Sequence, residues 1–161
     1  MKHSTKTIIF KGLSVLPSQL GYSLYHFLQN IGGNNKLEYK MESAKNTFKT
    51  VVGILDKNNI KLAHKNIAEL GSGWVPIFPY QLITEGKVKK VDTYDVNEHF
   101  SQKEIEQLNA FYANQFDCVF EKKGKYNLLK GVSYFPKTTI CEGEIQNIDL
   151  VLSRFVLEHV T

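Results

Sequence analysis

Glu69, Gly71 and Gly73 lie within one short stretch, and Asp95 follows at the distance of a helix and a strand. Acids and glycines in this arrangement suit the binding of a nucleoside. Gly71 and Gly73 lack a Cβ, so a ligand can lie against the backbone there. A helix after the turn would present its first N–H groups to the same ligand. Asp95 can accept hydrogen bonds from both hydroxyls of a ribose, as does the acid about 20 residues beyond the turn in dinucleotide sites. The turn runs into Trp74-Val75-Pro76 and has no third glycine. It therefore departs from G-x-G-x-x-G, which admits a pyrophosphate. The bulky entry suits a ligand without phosphates, and Glu69 suits one with a positive amino group. Both features favour S-adenosyl-L-methionine over NAD.

The elements that would position these residues can be read from hydrophobic periodicity. Ile67 to Leu70 reads as a short strand, Pro76 to Thr84 as a helix and Val88 to Asp95 as a second strand. Pro79 stays within the first turn of that helix, where it is tolerated. Ser101-Gln102-Lys103-Glu104 is a capping box for a helix running to about Gln115, buried through Ile105, Leu108, Phe111 and Tyr112. Phe116 to Lys130 reads as a continuing helix around a break at Gly124. Gly131 to Phe135 is a candidate third strand. Ile148 to Ser153 is apolar enough to read as a parallel strand buried on both faces. Alternating strands and helices of this kind predict a doubly wound, mostly parallel α/β sheet of about four strands.

Residues 1–64 read as an N-terminal helical cap and residues 65–161 as the cofactor-binding α/β half. One cap helix would start near Pro17, with an apolar stripe from Leu20 to Ile31, and stop at Gly32-Gly33. The other would cover Glu42 to Asp56 and close at Lys57-Asn58-Asn59. Tyr22, Tyr25, His26 and Phe27 either pack the cap on the core or roof a pocket.

The chain has 161 residues, a hydrophobic fraction of 42% and a net charge of +4. That is enough chain for one domain with a core, and too little basic excess to argue for nucleic acid. Lys122-Lys123-Gly124-Lys125 reads as a solvated loop rather than a phosphate-binding patch. Cys118 and Cys141 have no metal spacing, and two cysteines make no disulfide framework. The histidines form no ligand pattern, so no metal is expected. No apolar run approaches the length of a membrane span. The basic N-terminus is followed by too short an apolar run for a signal peptide. A cytoplasmic address is the expectation.

Three segments resemble the class I S-adenosylmethionine-dependent methyltransferases. Glu69-Leu70-Gly71-Ser72-Gly73 is similar to the cofactor loop, and Tyr94-Asp95-Val96-Asn97 to the ribose-binding end of the second strand. Ile148-Asp149-Leu150-Val151-Leu152-Ser153-Arg154-Phe155-Val156-Leu157-Glu158-His159-Val160 is similar to the fourth strand and the turn after it. The resemblance covers residues 67–160. It implies a Rossmann-like fold and a methyltransferase acting on a small-molecule acceptor, such as a sugar or other metabolite. It also implies that Glu69, Gly71, Ser72, Gly73, Trp74, Asp95 and Val96 surround the cofactor and that residues after the fourth strand face the methyl group. The family's acid near the end of the third strand has no clear match here; Glu142 is the nearest candidate.

His159 is the candidate general base, because its ordinary pKa lies near neutrality; packing or capping is its alternative role. Arg154 is a candidate for holding an anionic substrate group, or pairs with Glu158 one helical turn on. Asp149 reads as structural. The family sheet normally has seven strands, and this chain stops after the fourth. The expectation is an N-terminal part, inactive alone, whose fourth strand is covered by a C-terminal part or by a second copy. The rival readings are a non-catalytic nucleoside-binding Rossmann-like module and an NAD- or nucleotide-sugar-binding protein.

Overall fold

Asn66-Ile67-Ala68-Glu69-Leu70 is a short apolar run flanked by polar and glycine residues, and it forms the strand around which the other elements are arranged. In the computed structural model, residues 37–138 and 145–153 are described. The elements are α1 (Leu37–Lys57), β1 (Asn66–Leu70), α2 (Ile77–Thr84), β2 (Lys90–Asp95), α3 (Gln102–Gln115), β3 (Phe120–Lys123), β4 (Tyr126–Leu129), β5 (Val132–Pro136) and β6 (Leu150–Ser153). The main sheet has the order β5-β2-β1-β6, and every pairing in it is parallel. The fold is α/β, with a separate antiparallel pair, β3–β4. By its internal contacts the chain divides into Met1–Lys40 and Met41–Thr161. The sheet and α1 from Met41 onward fall in the second unit.

α1 begins five residues before the expected Glu42, with Glu38 in its first turn and Lys57 in its last. Both charges suit the helix dipole. Beyond Lys57 the chain turns away at Asn59, which has φ 57°. The Ile60 N–H donates to the Leu55 carbonyl (2.9 Å) and the Asn59 N–H to the Asp56 carbonyl (3.0 Å). This is a Schellman closure with asparagine in the left-handed position. Phe48, Val51, Val52 and Leu55 pack with Leu62, Ile67, Phe78, Leu82 and Val91 in the core. α2 follows Pro76 and carries Pro79 in its first turn, as expected. α3 is capped by Ser101, whose side chain accepts from the Glu104 N–H at 3.4 Å.

Two expectations are corrected. Residues 120–129 do not continue as helix; they form a hairpin turning on Gly124-Lys125. Gly124 has φ +61°, and a glycine at the first position of a two-residue loop closes a hairpin whose twist matches its strands. Tyr126 and Leu128 point inward while Asn127 is exposed, the period of a strand. The second correction concerns the strand over 148–153, which is not buried on both faces. β6 pairs with β1 on one side, and its burial alternates: Leu150 and Leu152 lean on the core while Val151 is 52% exposed. An apolar run is equally compatible with a central and an outer strand, so composition could not distinguish them.

The expected helix near Pro17 and the aromatic residues 22–27 lie outside the described residues.

Candidate functional site

β1 and β2 run in register, with Glu69 opposite Thr93 and Leu70 opposite Tyr94. β1 hands over to a turn at Gly71, whose N–H still donates to the Tyr94 carbonyl at 2.9 Å. Gly71 has φ +85° and Gly73 φ +65°, conformations that favour glycine. A Cβ built on Gly73 would meet nothing within 4 Å. The backbone there borders open space, as a ligand against the main chain would need.

Glu69 is 3% exposed and Ser72 6%, and the two meet through Thr93. The Thr93 hydroxyl lies 2.6 Å from Glu69 Oε2 and 2.8 Å from Ser72 Oγ. One hydroxyl proton cannot serve both oxygens. With Glu69 ionised, Thr93 donates to the carboxylate and accepts the Ser72 proton. Thr93 is itself fully buried. It is the main residue that sequence reading missed, because its role depends on cross-strand register rather than on its neighbours in the chain.

Asp95 closes β2 and is 9% exposed. Its Oδ1 accepts the Asn97 N–H at 3.0 Å and lies 3.5 Å from His99 Nε2. Both contacts use one oxygen. His99 in turn stacks on Trp74, with ring centroids 5.9 Å apart. The turn after β1 and the loop after β2 are thus joined by an Asp95–His99–Trp74 chain. The Ser101 N–H, donating to the Trp74 carbonyl at 3.4 Å, adds a backbone tie. His99 is the second residue missed. A histidine four residues after an acid is the local signal for it.

Tyr134 supports the loop from β5. Its hydroxyl accepts the His99 N–H (2.9 Å) and donates to the Asn97 carbonyl (3.2 Å), while its ring stacks on Phe100. Burial pushes this phenol up to about 12, so it stays a protonated donor at neutral pH.

Of the expected site residues, Glu69, Ser72, Gly73, Trp74 and Asp95 are placed along the carboxyl ends of β1 and β2. Val96 is 63% exposed beside Asp95. Arg154, His159 and Glu142 lie outside the described residues. Asp149 fastens the opposite end of β1: its Oδ2 accepts the Asn66 N–H at 2.7 Å. Among the described residues, no group of three or more His, Cys, Asp or Glu could hold a metal ion, and no helix is long and apolar enough to cross a membrane. Compared with known protein families, curated proteins and solved structures, the chain matches none.

Proposed function

We propose that this chain binds S-adenosylmethionine across the carboxyl ends of β1 and β2, as the cofactor-binding part of a methyltransferase for a small-molecule acceptor. One observation carries the reading: β2 and β5 are laid down on one side of β1 and β6 on the other. Numbered by parallel strands alone, that is the 3-2-1-4 order of a Rossmann-like sheet. Ligands of such sheets bind in the crevice where the order reverses, outside the carboxyl ends. Glu69 stands at that end of β1, and Gly71 and Gly73 follow it in the turn.

The residues present fit the cofactor. The stretch from Glu69 to Val75 holds no basic side chain and one carboxylate, Glu69, which would repel a pyrophosphate while attracting an ammonium group. Glu69, braced by Thr93, would face the amino group of the methionine part. Asp95 would receive the ribose, with Oδ1 oriented by the Asn97 N–H and Oδ2 turned to the second hydroxyl. Trp74 would wall the methionine side, its ring held by His99. When bound, the cofactor supplies a methyl group on a sulfonium sulfur that leaves as a thioether. The protein's task is then alignment of the acceptor and removal of its proton. His159 and Arg154, which follow β6, are the proposed base and substrate contact.

Trp74 is the only tryptophan in the chain, so its fluorescence reports on this site alone. Titration with S-adenosylhomocysteine should give a saturable change that NAD does not produce. A flat titration in the folded protein would refute the reading.

A further inference from the structure

The outer side of β5 borders a second concavity, distinct from the Glu69 site and independent of the methyltransferase reading. Its volume is 390 Å³, and Lys123, Lys125, Ser133, Tyr134 and Phe135 are among its walls. Small-molecule sites begin at about 300 Å³ and combine apolar walls with a few fixed polar groups. Here Tyr134 is held against Phe100, and Phe135 is stacked on Tyr94 at 4.9 Å and 15°. Successive side chains of a strand face opposite ways, so Phe135, on the same face as Ser133, is the ring that lies beside the charged wall.

The charge on the other wall is uneven. The Lys123 ammonium donates to Ser133 Oγ at 3.0 Å, a neutral partner that fixes its position without cancelling its charge. Lys123 is in no ion pair among the described residues. Glu98 also lines the cavity, and Asp92 lies opposite Ser133 in the sheet with its Oδ1 buried and unpartnered; each of these acids, and Glu121, has a lysine. Glu98 is held by Lys125 (2.7 Å) and Lys137 (3.5 Å), Asp92 by Lys90 (2.6 Å) and Glu121 by Lys130 (3.9 Å). Lys123 and one of the two lysines on Glu98 are therefore in excess. A positive charge held beside aromatic rings selects an anion with a flat apolar body. The Lys122–Lys125 stretch, read from sequence as a solvated loop, is here a hairpin that aims one of its lysines at a neighbouring strand.

We propose that the cavity between the β3–β4 hairpin and β5 binds a small aromatic anion, with Lys123 and Ser133 on the charged group and Phe135 along the ring. The test is amide chemical-shift titration of the full chain with phenyl phosphate, benzoate and uncharged phenol. Saturable shifts at Lys123, Ser133 and Phe135 with either anion, and none with phenol, are expected; the tighter anion tells phosphate from carboxylate. Lys123→Gln should weaken binding about tenfold or more, the loss of one charge-assisted contact. Lys122→Gln, one residue away on the other face of β3, should leave it unchanged. Should Lys123→Gln lose its dispersed spectrum, Lys125→Gln replaces it, with a several-fold loss expected. S-adenosylhomocysteine binding, followed in parallel, should be the same in all these variants. Equal binding of phenol, no saturation with either anion, or undiminished affinity in the lysine variant would overturn the proposal.

Discussion

Two buried hydroxyl networks in this molecule resemble each other in chemistry and differ in setting. In the first, the Tyr80 hydroxyl donates to Asn109 Oδ1 (2.8 Å) and accepts the Leu129 N–H (3.0 Å), and Asn109 Nδ2 donates to the Asn127 carbonyl (2.8 Å). It ties α2, α3 and β4 together, and Tyr80 is fully buried. In the second, Thr93 joins Glu69 to Ser72 beside the turn at Gly71 and Gly73. The first contains no charge and is enclosed by helices and a hairpin. The second places a carboxylate at the ends of parallel strands, next to backbone that borders open space. Stability alone would be served by an enclosed neutral network of the Tyr80 kind. A carboxylate beside open backbone is the setting that the proposed amino-group contact of Glu69 needs, and the Tyr80 network offers nothing of the kind.

The largest expected effect separates the two on stability. Tyr80→Phe leaves Asn109 Oδ1 and the Leu129 N–H without their partner, at about 1–3 kcal/mol for each buried group stranded. Urea unfolding should show that loss, while the protein that remains folded binds S-adenosylhomocysteine as before. If affinity falls with stability, the two networks are not separate.

Thr93→Val tests the other side. The side chain keeps its shape and loses its hydroxyl, so Glu69 and Ser72 lose the group that positions them. Cofactor affinity should fall about tenfold, a cost near 1.4 kcal/mol, together with a loss of stability, because two buried groups lose their partner here as well. A loss of stability with unchanged affinity would place the Thr93 network in the core and remove Glu69 from the site.

Gly73→Ala should have the smallest effect on folding. The new methyl meets no atom, and the cost is that of a positive φ in a non-glycine residue, about 1 kcal/mol. Calorimetry with S-adenosylhomocysteine should nevertheless show weakened binding, because the methyl enters the space the ligand needs. Unchanged affinity would move the ligand away from Gly73.

The same contrast explains what could be read in advance. β1, α2, β2 and α3 were legible because their signals are local: a strand ending in glycines, prolines at a helix start, and Ser101 three residues before Glu104. The stop of α1 at Lys57-Asn58-Asn59 was legible for the same reason, though not its Schellman geometry. The β3–β4 hairpin was not, because its strands are short and Glu121-Lys122-Lys123 carries too little hydrophobic contrast to show a period of two. The Gly124-Lys125 pair was the available signal, and it was read as a helix break. Thr93, His99 and Lys123 take their roles from partners in other elements. Register across strands brings those partners together, and no sequence window contains it. The exposure of Val151 belongs to the same class, since it follows from the place of β6 in the sheet order.

In the function proposed here, the carboxyl ends of β1 and β2 hold S-adenosylmethionine through an acid on each strand. The most direct measurement is calorimetry of S-adenosylhomocysteine binding to the unaltered chain and to Asp95→Ala, with NAD titrated alongside. Expected are stoichiometric binding to the unaltered chain, none of NAD, and a loss of about tenfold or more in Asp95→Ala as two ribose hydroxyls lose their acceptor. Binding of NAD in preference, or affinity that survives Asp95→Ala unchanged, would contradict it.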